Sequence, residues 1–390
     1  MKSNPQTGKV PRSAARPQAA RKKKKPLKLS VPRTHKPDDL SLDEWQRTLR
    51  KEYGILQNFA LKNVGDHPIF SDFRLTNPGT GKTYSLTIRG NRPGVNYCSC
   101  PDFAVNNLGT CKHLEFALSR LEKRRGAKRL LAGGYQPDYS EIFLHHGLKQ
   151  EICFNPGREM PRPLQVWVDR LFDDQGILRG EHLLHFPRLF QDRPKTDGHE
   201  VRCRDEVLVW VGEHQEARER LKIIEDHLRE GIRSPVFQSL LKADLYPYQR
   251  EGALFALKAG RSLLGDDMGL GKTVQALAAA ELLARFFHLG KVLIVSPTSL
   301  KYQWKTEIEK FTGRTVAVIE GLNATRRELF RRDTFFKVIN YELIFRDLEA
   351  ITAWKPDLVI LDEAQRIKNW KTRTAKSVKQ LESPFALVLT

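Results

Sequence analysis

Apolar positions along the N-terminal half of the chain switch between helical and alternating spacing. In "SLDEWQRTLRKEYGIL", Ser41 stands three residues before Glu44, a capping-box spacing that predicts a helix start. Residues 67–103 read as strands joined by turns. "FSDFRL" leads into the turn-rich "TNPGTGK", and in "YSLTIRG" Tyr84, Leu86 and Ile88 alternate with Ser85 and Thr87. The turn "NRPG" then precedes "VNYCSC". From Lys112, the residues Leu114, Ala117, Leu118 and Leu121 return to helical spacing. Residues 126–234 form a less patterned α+β stretch. Within it "LQVWVDRL" and "EVLVWVG" predict strands, and "HQEARERLKIIEDHLREG" predicts an amphipathic helix. His145 and His146 have no spaced partner and read as ordinary surface or core residues; Cys153 and Cys203 read as small buried apolar groups.

From 240 the texture changes. Short apolar runs ("RSLLG", "KVLIVSPTSL", "FKVINYE", "DLVILDEAQ", "FALVLT") alternate with helical stretches such as "TVQALAAAELLARFF". Val292–Val295 and Leu358–Leu361 are apolar at every position, as strands covered by helices on both faces must be. The expected fold is therefore α/β, a parallel doubly wound lobe at the C-terminal side, with no internal repeat.

Composition adds a partner class. Of 390 residues 40% are hydrophobic, and no apolar run reaches the length a membrane helix needs, so no membrane partner is expected. The net charge is +20. Residues 1–37 hold twelve Lys and Arg and no Asp or Glu, leaving +8 for the rest. This Pro- and Ala-rich stretch reads as a disordered basic arm, and its Arg21–Lys25 run suits phosphate-backbone contact, a nuclear address if the host has a nucleus, or plain solvation. Five cysteines without a signal peptide point to a reducing compartment.

Two stretches carry Gly-x-Gly-Lys-Thr. A phosphate loop needs backbone N–H groups and a helix N-terminus converging on the anion, a Lys for charge, and a Thr or Ser hydroxyl for Mg²⁺. "SLLGDDMGLGKTVQALAAAELL" fits strand, loop and helix, with Asp266 where the strict spacing has Gly. "TNPGTGKTYSLTIRG" does not: the residues after Thr83 alternate as a strand, so a turn between two strands accounts for it. Ninety residues past Lys272 lies "LDEAQ". Asp362 is placed there to hold Mg²⁺ and Glu363 to orient and deprotonate water.

A second constellation is Cys98-Ser99-Cys100 with Cys111-Lys112-His113. In a strand, Cys98 and Cys100 face one side, and a ten-residue loop returns to Cys111 and His113 at a helix start. Three sulfurs and one imidazole suit a closed, structural Zn²⁺ site.

The C-terminal series resembles the first RecA-like lobe of superfamily-two helicases, specifically the Swi/Snf-type DNA translocases. "LYPYQREG" is similar to their adenine-recognition segment, "DDMGLGKT" to motif I, "IVSPTSLKYQWKTEIEKF" to motif Ia, "VINYELI" to motif Ib and "DEAQRIKN" to motif II. The resemblance implies ATP at Gln249 and at Asp267, Met268, Gly269, Leu270, Gly271, Lys272 and Thr273, with Mg²⁺ at Thr273 and Asp362. It implies Lys272, Asp362 and Glu363 as the catalytic set, and double-stranded DNA as partner, with "SPTSL" along the backbone. Asp267 replaces the usual Glu and Gln365 the commoner His. The cysteine set resembles the SWIM zinc finger, which implies DNA or protein binding, with "SRLEKRRGAKR" as a basic face.

The expected organisation is a basic arm (1–37), a SWIM-type region (38–125), an α+β region (126–234) and an ATP-binding lobe (235–390). The family pattern continues beyond "FALVLT" into a second lobe, so residues 1–390 are expected to be an N-terminal portion that hydrolyses ATP negligibly alone. Localisation depends on the source: cytoplasmic and nucleoid-associated in a bacterium, nuclear in a eukaryote. The alternative is a zinc-dependent DNA- or protein-binding adaptor with a vestigial ATP lobe.

Overall fold

The computed structural model describes residues 30–134, 136–267, 269–369 and 372–390. Most of the basic arm, including Arg21–Lys25, lies outside them. The chain divides into two compact units, Met1–Leu208 and Val209–Thr390. No helix among the described residues is long and apolar enough to cross a membrane.

In the first unit, α1 (Leu42–Ile55) starts at a complete capping box: the Ser41 hydroxyl accepts from the Glu44 N–H, and the Glu44 carboxylate accepts from the Ser41 N–H. Four strands come next, β1 (Ala60–Asn63), β2 (Asp72–Thr76), β3 (Thr83–Thr87) and β4 (Tyr97–Cys98), forming an antiparallel meander in that order. Helices α2 (Pro101–Val105), α3 (Lys112–Leu121) and α4 (Ala127–Gly133) succeed them. Phe73, Leu75 and Leu86 from the sheet, with Leu114, Phe116 and Ala117 from α3, share one core. A second sheet has order β6-β5-β7, built from β5 (Ser140–His145), β6 (Glu151–Asn155) and β7 (Val201–Cys203), with α5 (Arg162–Leu171) and α6 (Phe186–Gln191) inserted before β7.

Two expected strands are helices. "LQVWVDRL" lies in α5, where Leu164, Trp167, Val168 and Leu171 are all buried. Their i, i+3, i+4, i+7 spacing is a helical stripe, and it outweighs the β-branched and aromatic content that suggested a strand. "EVLVWVG" opens α7 (Asp205–His227). Val207 and Val211 are fully buried while Val209 between them is 62% exposed, which again is helical spacing. The strand before the zinc-type cluster is also shorter than expected. It ends at Cys98, and Cys100 instead caps α2, which occupies part of the anticipated loop.

The second unit is a six-stranded, wholly parallel sheet of order β10-β11-β9-β12-β13-β8. After α8 (Pro247–Ala259), β8 (Arg261–Leu264) and α9 (Lys272–Phe287) come β9 (Val292–Ser296), α10 (Lys301–Phe311), β10 (Val316–Val318), α11 (Asn323–Arg331), β11 (Phe336–Asn340), α12 (Tyr341–Trp354), β12 (Leu358–Leu361), α13 (Arg373–Val378) and β13 (Phe385–Leu389). The short edge strand β10 was not among the expected runs. Alternate strand residues divide between two cores. Val292, Ile294, Leu358 and Ile360 pack with Leu277, Ala280, Trp304 and Ile308; Leu293, Val295 and Val359 pack with Phe330, Tyr341, Ile344 and Val378. Helices on both faces are what the uniformly apolar strands require, and the result is a doubly wound α/β fold, the arrangement of a RecA-like lobe.

Candidate nucleotide and metal sites

In open α/β sheets, ligands gather outside the carboxyl ends of the strands. Two such ends converge here. The loop after β8 turns through Gly269 (φ +86°) and Gly271 (φ +69°), conformations that glycine adopts without a Cβ penalty, and delivers Lys272 as the first residue of α9. The loop after β12 carries Asp362 and Glu363, the latter left-handed at φ +52°. Gly269, Gly271, Lys272, Thr273, Asp362 and Glu363 line one cleft of about 370 Å³, together with Leu300, Gln303, Trp304 and Glu307. Met268 lies outside the described residues.

The resting loop satisfies itself. Lys272 Nζ donates to the carbonyls of Asp266 (2.6 Å) and Asp267 (3.1 Å). Asp266, standing where a Gly was expected, accepts from Gln275 Nε2 at 2.8 Å and so ties the loop to the first turns of α9. Gln249 is buried in α8. Its Oε1 accepts from the Tyr246 N–H at 3.1 Å, and its Nε2 lies 2.6 Å from where a Cβ on Gly271 would stand. Any larger residue at 271 would displace Gln249.

Across the cleft, burial pushes the Asp362 carboxyl above its usual range, while a hydrogen bond from Trp304 Nε1 to Oδ2 (2.8 Å) opposes the rise. The Asp362 carbonyl accepts from the Tyr341 hydroxyl at 2.7 Å. Gln365 donates to the Glu363 carboxylate and accepts from the Thr390 hydroxyl at 3.2 Å. Trp304 and Tyr341 emerge as neighbours of Asp362 that no periodicity announces, since the contacts span 58 and 21 positions.

The cysteine cluster is in the first unit. Ligand atoms of Cys98, Cys100, Cys111 and His113 lie within 4.8 Å of one another, and all four residues are buried. His113 Nδ1 is 3.9 Å from Cys98 Sγ and 4.0 Å from Cys111 Sγ. A tetrahedral zinc with ordinary bond lengths spaces sulfur and nitrogen by roughly 3.6 Å, so the donor set fits with little movement. Tyr84 and Phe59 hold the His113 ring, with centroids at 4.5 and 5.1 Å. Cys98 is pushed up first by its hydrogen bond to Cys100, Cys100 is pulled down by hydrogen bonds from Cys111 and Cys98, and burial pushes Cys111 up. Burial disfavours the thiolate form at all three cysteines, and a bound cation would offset that cost.

His145 and His146 do not join this cluster. His146 is buried, its ring 4.5 Å from that of Phe103 in α2. Cys153 and Cys203 are half-buried, their thiols pushed up to about 11 and about 12 by burial. The first "GTGKT" makes a hairpin turn: Asn77 exchanges backbone bonds with Lys82 and Gly81 between β2 and β3, and Leu86 of β3 pairs with Cys98.

Residues 205–390 match the model of the SNF2-related domain. Human "DNA repair and recombination protein RAD54B" is 33% identical over 173 residues, covering 40% of this chain and 19% of its own length. "Helicase SWR1" of Debaryomyces hansenii is 31% identical over 170 residues (41% and 10%), and an "Uncharacterized ATP-dependent helicase" of Mycoplasma pneumoniae 33% over 151 residues (37% and 15%). The chain therefore spans less than a fifth of the length of these relatives. Among solved structures, the Sulfolobus solfataricus SWI2/SNF2 ATPase core in complex with dsDNA is 31% identical, with a TM-score of 0.37 over 39% of this chain and 32% of that one. The domain match and these relatives support a Swi/Snf-type, superfamily-two helicase-like family for residues 205–390.

Proposed function

We propose that residues 235–390 form the ATP–Mg²⁺-binding lobe of a DNA-dependent ATPase of the Swi/Snf translocase type. One observation carries the reading: Lys272 and Thr273 share a cleft with Asp362 and Glu363, although 90 positions separate the two pairs. ATP phosphates would lie on the loop from Asp267 through Met268, Gly269, Leu270 and Gly271 to Lys272, at the N-terminus of α9. The adenine would lie toward Gln249. The Thr273 hydroxyl and the Asp362 carboxylate are hard oxygen donors that suit Mg²⁺, which would neutralise phosphate charge. Lys272 exchanges the carbonyls of Asp266 and Asp267 for phosphate oxygens, and Glu363 orients the attacking water and takes its proton. Double-stranded DNA is the proposed partner, its phosphates meeting the "SPTSL" segment after β9.

Zn²⁺ is proposed at Cys98, Cys100, Cys111 and His113. With four protein donors and no open position its role is structural, as in a SWIM-type finger. Exposed Arg120, Lys123, Arg124, Arg125, Lys128 and Arg129 then offer a fixed basic face to DNA or to an acidic protein surface, since Leu121, Ala127 and Leu131 anchor the segment in the core. The proposed organisation is the arm (1–37), this finger region (38–125), an α+β region (126–234) and the lobe.

Binding of a fluorescent ATP analogue to the chain and to Lys272→Ala tests the reading. Losing a charged donor to phosphate should weaken binding about 10- to 150-fold. Unchanged affinity would favour the alternative, a zinc-dependent adaptor with an inert lobe.

A further inference from the structure

Asp362 is gripped by bonds that come from outside its own loop. Its N–H donates to the Val295 carbonyl at 2.8 Å and its carbonyl accepts from Tyr341, so the main chain is fixed on both sides. Its Oδ2 accepts from the Trp304 indole. The Glu363 N–H makes a smaller backbone contribution to the same carboxylate. Trp304 is 2% exposed and packs in the core with Ile294, Ile308 and Ile360, so the indole cannot swing aside without opening that core.

We propose that Trp304 is a positioning residue that sets metal specificity: by engaging Oδ2 it disfavours two-oxygen binding by Asp362, which favours Mg²⁺ over Ca²⁺ beside the nucleotide. The inference rests on the ATP–Mg²⁺ reading of the cleft. Mg²⁺ requires a nearly ideal octahedron with oxygens at about 2.0–2.1 Å and takes one or two carboxylates alongside water and phosphate oxygens. Ca²⁺ takes six to eight oxygens at about 2.3–2.6 Å and readily uses both oxygens of one carboxylate. For Asp362 to bind through both oxygens, Oδ2 must share its lone pairs between the metal and the indole N–H. Competition for that oxygen weakens a charge-assisted hydrogen bond in a buried setting. The single-oxygen mode keeps the bond. Tyr341 holds the loop without touching the carboxylate, so it acts on position and not on the number of oxygens offered.

Equilibrium binding of a fluorescent ATP analogue to residues 1–390 in Mg²⁺, in Ca²⁺ and in EDTA tests the inference on the unsubstituted chain, Trp304→Phe and Tyr341→Phe. The unsubstituted chain is expected to bind about tenfold or more tightly in Mg²⁺ than in Ca²⁺. Trp304→Phe should lose most of that ratio with its EDTA affinity unchanged, and Tyr341→Phe should keep the ratio. Trp304→His, a smaller side chain with a ring N–H, should recover part of it. Equal support by the two metals in the unsubstituted chain overturns the inference without recourse to any variant. An equal fall of Trp304→Phe affinity in EDTA and in Mg²⁺ also overturns it, because that marks a packing role. Absence of binding in all three conditions overturns the ATP reading and this inference with it.

Discussion

Acid should destabilise the first unit through one side chain, His146. The residue is 8% exposed, and burial depresses its imidazole to about 4, with the charges of Arg89 and His145 adding to the shift. Gln150 Nε2 lies 3.5 Å from Nδ1, while Nε2 has no partner. The folded chain therefore keeps His146 neutral where the unfolded chain, with an ordinary value near 6.5, binds a proton. Stability is thus intact well above pH 6.5, and is lost as pH falls from there towards 4. Between pH 7 and pH 5 the difference in proton binding amounts to about 2 kcal/mol, and the full shift to about 3.4 kcal/mol. His146→Phe replaces the ring by one that needs no hydrogen bond beside Phe103 and Tyr97, so it should be nearly neutral at pH 7. At pH 5 it should be about 2 kcal/mol more stable than the unsubstituted chain. Urea midpoints of zinc-loaded protein at the two pH values measure this. An unchanged stability gap between variant and parent would refute it, since acid effects on carboxylates or the metal act equally on both.

Three further outcomes are expected. Arg326 and Asp347 form a bidentate ion pair (2.7 and 3.0 Å) at 5% and 3% side-chain exposure, so Arg326→Met or Asp347→Leu alone should cost about 3–5 kcal/mol and the double variant far less; additive losses in thermal melts would contradict a buried pair. Excess EDTA, or Cys111→Ser, should lower the first thermal transition of the chain by about 10 °C or more; unchanged melting and far-UV dichroism would exclude a structural zinc. No arginine lines the cleft among the described residues. Residues 1–390 alone should thus bind ATP yet turn it over negligibly with DNA present, because an arginine at the transition state is worth about 10³–10⁵ in rate. Measurable DNA-stimulated phosphate release would refute that.

The second unit was legible because its strands are buried on both faces. Runs such as Val292–Val295 leave no ambiguity about helices above and below, and the loop–helix context of Lys272 comes with them. The first unit was harder for a physical reason. A short amphipathic element rich in Val, Trp and Leu satisfies both a strand's composition and a helix's stripe, and in α5 and the start of α7 the stripe decided. Register details were out of reach as well. Cys98 and Cys100 come together, but through a helix cap and not by sharing a strand face. The neighbours of Asp362 depend on how α10 and α12 cross the sheet, which no local pattern encodes.

The two Gly-x-Gly-Lys-Thr segments show what a motif alone leaves open. At 79–83 the turn is closed by Asn77, whose side chain accepts from the Gly79 N–H at 2.9 Å and whose carbonyl accepts from Gly81 at 2.8 Å. After Thr83 the alternation of Tyr84, Leu86 and Ile88 commits the chain to β3, so the free N–H groups are spent on a sheet. At 269–273 the Ala- and Leu-rich continuation commits it to α9, whose first N–H groups have no partner within the helix. Yet Lys272, the one cation of that loop, already donates to two carbonyls of the same loop. A phosphate bound there would thus have to offer more than charge. On the proposed ATP reading it would recruit Lys272 and cover the helix end together, a task that suits two linked phosphates better than a single chloride.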